Sequence, residues 1–183
     1  MLSKGYNDLE CKDNLSGVNR LYLFSFTPLP YTQINVIEGV ELIGFPKQVL
    51  WKYELRGDFT LNQSIDEDGM VNQNITCDLQ KIDLETTKEL NKVTRKLIGV
   101  VVESNLGYYA LMGLRNGCEI DFNTTTGASK AAFSGYQLTV SAIEEYNAPL
   151  FDDLSIIGVF ADGFLLQENG DYILQENDFK IKL

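Results

Sequence analysis

The sequence predicts a mainly β protein: a β-sandwich or barrel with one flanking α-helix and a β appendage at its C-terminal end. Three observations carry this reading. Runs in which apolar and polar residues alternate recur along the chain, as in Val71, Gln73, Ile75, Cys77 and Leu79 against their polar neighbours. Such a period of two marks a half-buried strand. Turn-forming Gly, Pro, Asn and Asp separate the runs at short intervals. Only residues 83–96 carry apolar residues at the three- and four-residue spacing of a helix.

The elements follow in order. Residues 1–19 are polar and read as an arm. Leu21 to Phe26 is a first strand, ended by Pro28 and Pro30, which cannot donate to a ladder. Gln33 to Glu38 and Glu41 to Ile43 form a short hairpin around Gly39. Val49 to Arg56 is a strand with Trp51, Tyr53 and Leu55 on one face, and after Gly57-Asp58 the extended pattern resumes at Phe59 to Ser64. Ile65 to Met70 is an acidic turn with Gly69 available for positive φ. Val71 to Ile82 returns as a long strand, so residues 48–82 read together as one long, polar-tipped hairpin.

Asp83 then caps a helix running to Lys96. Glu85 lies at its positive end, and Leu90, Val93 and Leu97 form its apolar stripe. Leu97 to Glu103 is a strand of buried character that pairs back through Ser104-Asn105-Leu106-Gly107 with Tyr108 to Met112. Asn116-Gly117 is a turn, Cys118 to Phe122 a short strand and Asn123 to Lys130 a loop of small residues. Gly135 to Glu144 closes the body, with Tyr136, Leu138 and Val140 alternating. Residues 1–149 form the body with its arm, and 150–183 form the appendage. There Leu-Gln-Glu-Asn recurs at 166–169 and 174–177, as two strand-and-turn units would.

Composition narrows the function. The chain of 183 residues carries 15 basic and 26 acidic residues, a formal net charge of -11. Phosphate clamping needs a basic face, so a DNA or RNA clamp and an anionic membrane partner are both disfavoured. With no histidine, the Ser-His-Asp and Cys-His nucleophile arrangements are excluded, as are His-containing zinc sites. Cys11, Cys77 and Cys118 show no CxxC spacing and are odd in number. They point to a reduced, cytosolic origin, with Cys77 and Cys118 as small core or strand residues. The first residues lack the pattern of a signal peptide, and no apolar run reaches the length of a membrane span.

No motif carries chemistry. Asp66-Glu67-Asp68 before Gly69 resembles part of a calcium loop, but Ser64 stands where an acid or amide is needed, and Ile75 stands where the bidentate Glu would be. It reads as a solvated hairpin tip. Asp152-Asp153 are adjacent and point to opposite faces of an extended chain. Gly127-Ala128-Ser129-Lys130 lacks the upstream glycine of a phosphate loop. No enzyme activity, cofactor or metal is expected.

Three stretches carry a resemblance. Cys11 to Val18 leads into Leu-Tyr-Leu-Phe. The Thr-Thr-Lys-Glu-Leu-Asn-Lys helix precedes the Leu97–Ile120 double hairpin. Thr124 to Glu145 holds a loop and the closing strand. Together, over residues 11–147, they resemble in pattern and order the tail-tube proteins of phages and prophages of Bacteroidetes hosts. Ser16-Gly17 stands where those proteins have a Gly-Gly pair. The resemblance implies a tail-tube-type sandwich whose copies form homo-oligomeric, hexameric rings. Such rings stack, with other tail proteins, into a virion conduit through which DNA passes without specific binding. A tail terminator or a distal tail or baseplate ring protein would share the fold, and a carbohydrate-binding β module is the alternative of another class. Assembly contacts are expected on the hairpin flanks, Phe59, Leu61, Val71 and Ile75, and at its tip, Asp66, Asp68 and Gly69.

Overall fold

The computed structural model describes residues 17–37, 39–55, 59–80, 82–126 and 133–160. The arm with Cys11, the Gly57-Asp58 break, most of the loop before Phe133 and both Leu-Gln-Glu-Asn units lie outside the described residues. The strands are β1 (Val18–Ser25), β2 (Asn35–Ile37), β3 (Glu41–Gly44), β4 (Gln48–Glu54), β5 (Leu61–Ile65), β6 (Val71–Gln80), β7 (Ile98–Ser104), β8 (Tyr109–Met112), β9 (Glu119–Thr125), β10 (Gly135–Glu144), β11 (Leu150–Phe151) and β12 (Gly158–Phe160). The helix α1 (Leu84–Val93) lies between β6 and β7.

These strands make two open sheets, and neither closes into a barrel. The large sheet runs β4-β1-β7-β8-β11-β3-β2, with the short β12 laid parallel along β4. The small sheet runs β5-β6-β10-β9, all antiparallel. Between them lies the main core. Leu21, Leu23, Val100, Val102 and Met112 meet Ile75, Cys77, Tyr136, Leu138 and Val140, and Leu90 of α1 closes one end.

The large sheet is covered on its other face too. Tyr22, Phe24, Leu50, Val101 and Leu111 pack there under Leu42, Phe151, Leu154 and Ile157. This second layer explains β7, where all seven residues are buried. A strand buried on both faces reads as an unbroken apolar run, as Ile-Gly-Val-Val-Val does. By contrast β6 and β10 have one face inward, and their burial alternates along most of their length.

The helix begins where its cap predicts. Asp83 accepts hydrogen bonds from Thr86 N at 2.8 Å and Thr86 Oγ1 at 2.7 Å. The buried Tyr136 hydroxyl donates to Asp83 O at 2.8 Å and accepts from Asp83 N at 3.1 Å, which pins the helix start to β10. The helix stops at Val93, short of the expected Lys96. The chain then turns into β7, so Leu97 leaves the apolar stripe and lies exposed.

Two expectations are corrected here. Residues 48–82 are not one hairpin. β4 pairs with β1, Trp51 opposite Leu23, while β5 and β6 make a shorter hairpin in the other sheet, Leu61 opposite Ile75. The reason is burial. Leu50 belongs to the outer apolar layer and Leu55 to the main core, so β4 must lie in the sheet that touches both. The chain then crosses between sheets, and Phe59 enters the main core with its carbonyl accepting from Val18 N at 2.9 Å. Second, β10 is not the last strand to pair within the body. Leu150 pairs with Ala110 and Glu41, and β12 returns beside β4.

Candidate assembly surface

The predicted contact residues divide sharply. Phe59 and Ile75 are buried in the main core, and Val71 is buried at the start of β6, so none of the three offers an outer contact surface. A hairpin packed on a second sheet buries every other residue of its flanks. Leu61 packs partly against the same core, whereas Asp68 and Gly69 are exposed at the tip. Ile65, 72% exposed, is the apolar residue that β5 does present to solvent.

The tip is held from within. The Asp66 carboxylate accepts from Asp68 N at 3.0 Å and Met70 N at 2.8 Å, and Asp66 N donates to Met70 O at 2.8 Å. Gly69 takes φ of +82°, a conformation a side chain would strain. Asp66 therefore shapes the turn. Among the described residues, no three of His, Cys, Asp and Glu come together to hold a metal ion.

The sequence reading missed the outer face of the small sheet. Its positions follow from the register: Asn74 lies beside Ser141 and Glu119, Thr76 beside Thr139 and Asp121, and Asp78 beside Gln137 and Asn123. Asn62 and Ser64 of β5 extend the rows. The face is a carpet of amides and hydroxyls with three acids, Asp78, Glu119 and Asp121, and Ile143 as its one large apolar residue. Across all four strands it carries no Lys or Arg. The signal was present in the polar half of each alternating run. Only the register shows that these halves share one surface.

The edges of this sheet are equally plain. Among the described residues β5 pairs only with β6 and β9 only with β10, so each turns one row of backbone groups outward. Neither edge strand carries a Lys, Arg or Pro to block further pairing.

Interior polar groups serve structure. Gln73, fully buried, donates from Nε2 to Tyr146 O at 3.1 Å and accepts from Gly113 N at 3.2 Å, tying β6 to two loops. Glu103 takes the Tyr22 hydroxyl and Arg20 Nη1, the latter at 2.8 Å. Cys77 and Cys118 are buried core thiols, as the sequence reading held; burial pushes Cys77 up to about 12 and Cys118 higher still, so neither is poised as a nucleophile.

Glu144 is buried and accepts from Arg115 N at 2.9 Å and Asn116 N at 2.8 Å. Burial raises its carboxyl above the usual glutamate range, and the two amide donors pull it part of the way back. The folded chain thus holds this proton more tightly than the unfolded chain. The contribution of Glu144 to stability is greatest below the ordinary glutamate pKa and falls as pH rises through the raised value. Glu144→Gln should remove that slope. The check is chemical denaturation of both chains from about pH 4 to about pH 7, with the difference between them isolating this one group.

No known protein family, curated protein or solved structure matches the chain.

Proposed function

We propose that the chain is a structural virion subunit of the tail-tube kind. Its copies close into rings, hexameric by the resemblance, that stack into a conduit for DNA. The observation that carries this reading is the outer face of the small sheet, built from neutral amides, hydroxyls and three acids without a cation. Turned toward a lumen, such a face offers phosphate no Lys or Arg to displace counterions, so DNA slides past without sticking. The two outward edges supply a means of closure. β5 of one subunit pairs with β9 of the next, a heterologous contact that repeats round a ring.

The test is negative-stain electron microscopy of the purified chain with mass photometry alongside. Rings or tubes of regular diameter are expected, and a monomer that persists at high concentration would sink the reading. A second arm probes the lumen. The triple variant Asp78→Lys, Glu119→Lys, Asp121→Lys should still form rings but retain duplex DNA at low salt. Its retention should fall with log salt with a slope of roughly one per phosphate neutralised. Rings of this variant that hold no more DNA than the parent would place the small-sheet face away from the lumen.

A further inference from the structure

A cavity of about 340 Å³ opens where the end of β10, the loop after it and the β2–β3 turn come together. Glu144, Arg115, Tyr146 and Asn147 line it with the apolar Val36 and Leu114. Glu144 is only 3% exposed, and its Oε1 accepts from both the Arg115 and Asn116 amides. Its Oε2 accepts no hydrogen bond among the described residues. A buried carboxyl oxygen without a donor calls for a partner, and the cavity is where one can enter. Arg115 stands near enough that its charge favours the ionised carboxylate against the pull of burial.

The loop that carries Tyr146 is pinned on every side. Tyr146 O accepts from the buried Gln73 of β6 at 3.1 Å, and Ala148 N donates to Gln63 of β5 at 2.7 Å. Pro149 O accepts from Leu111 N of β8 at 3.0 Å, and Leu150 N donates to Val40 O in the β2–β3 turn at 2.7 Å. The Tyr146 ring is 52% exposed and sits beside Gly39, where a β-carbon would lie 3.7 Å from its Cδ1. The cavity is thus built in advance, with an aromatic ring at its mouth and a carboxylate inside.

These groups narrow the ligand. An anion would meet the Glu144 carboxylate and a cation would meet Arg115, so neither kind of ion suits the cavity. A hydroxyl both donates and accepts, and neighbouring hydroxyls can serve the two side chains together. We propose that this cavity binds a neutral sugar ring. One hydroxyl donates to Glu144 Oε2, the next accepts from Arg115, and the apolar face of the sugar lies against Tyr146. The proposal stands apart from the ring reading, since it concerns one chain and needs no assembly.

Saturation-transfer nuclear magnetic resonance on the full chain tests it, by titration with glucose, galactose, mannose, N-acetylglucosamine and the acidic N-acetylneuraminic acid. At least one neutral sugar should bind. Glu144→Gln, which keeps an acceptor for the two amides, and Tyr146→Ala should each weaken that binding about tenfold, the worth of one hydrogen bond to a charged group or one stacked ring. Tyr108→Ala, at an exposed tyrosine outside the cavity lining, should bind as the parent does. Far-ultraviolet circular dichroism shows that each variant is folded, and Tyr146→Ala decides alone if Glu144→Gln is not. Binding of no neutral sugar overturns the proposal. Binding that both cavity variants leave unchanged places the sugar elsewhere and overturns it equally, as does binding of the acidic sugar alone.

Discussion

Ile75→Ala is expected to cost the folded chain about 3 kcal/mol, within the usual range for deleting a buried Ile to its β-carbon. Ile75 is fully buried in β6, between Val140 on β10 and Leu61 on β5, and it faces the large sheet across the main core. A strand flanked on both sides collapses poorly into the space left, so the loss includes a cavity as well as transfer of the removed methyl groups. Urea or guanidinium denaturation should show a lower midpoint with an unchanged slope. The contrast is Ile65→Ala, on the exposed end of β5, which should leave the midpoint within about 0.5 kcal/mol of the parent. If rings form, Ile65→Ala is the variant that should weaken them, and Ile75→Ala should spare them wherever the chain is folded. A parent-like midpoint for Ile75→Ala would contradict the packing described above.

Gly99→Ala should be comparably damaging, about 3 kcal/mol, at the upper end for overpacking a core. Gly99 lies in β7 directly opposite Phe24 of β1, and a β-carbon there would overlap the Phe24 ring. Neither side can yield. Phe24 is buried and packs edge-on against Phe45, with ring centroids 5.9 Å apart, and β7 is buried on both faces. The cost is steric, since the substitution asks for no unusual φ. It should therefore be relieved by shrinking the partner. The double variant Gly99→Ala/Phe24→Leu should recover part of the loss, whereas Phe24→Leu alone should destabilise. Additive losses in that double-mutant cycle would rule out the clash as the cause.

Together the two variants separate interior from surface in a chain whose proposed work is done by its surfaces. Ile75 belonged to the expected contact set because it alternates with polar residues on a strand thought to stand free. The same alternation, once the strand packs on a second sheet, places Ile75 in the core and Asn74 and Thr76 outside. Period two distinguishes the two faces of a strand but says nothing of which face meets another layer. The candidate lumen face was written in the sequence as the polar half of β6, β9 and β10. It became one surface only through the registers that set Thr76, Thr139 and Asp121 in a row.

What the sequence by itself determined is local. It specified the helix start at Asp83, because an N-cap needs only its own next three residues. It specified the β10 span and which residues of β6 share a face, because alternation is a property of one strand. It specified the β2–β3 and β7–β8 hairpins, because their turns lie between adjacent runs. It marked Cys77 and Cys118 as small core or strand residues, because a free cysteine outside a paired spacing packs as a small apolar side chain.

Only the tertiary structure decided the rest. It sent β4 to β1 and β5 to β6, brought β11 and β12 back in parallel beside β3 and β4, and made Gln73 an interior bridge to Gly113 and Tyr146. These pairings join residues far apart in sequence, where closing the loop costs entropy that only the finished core repays. The choice among partners belongs to the packing of two apolar layers against one central sheet, a competition that no single segment of the chain contains.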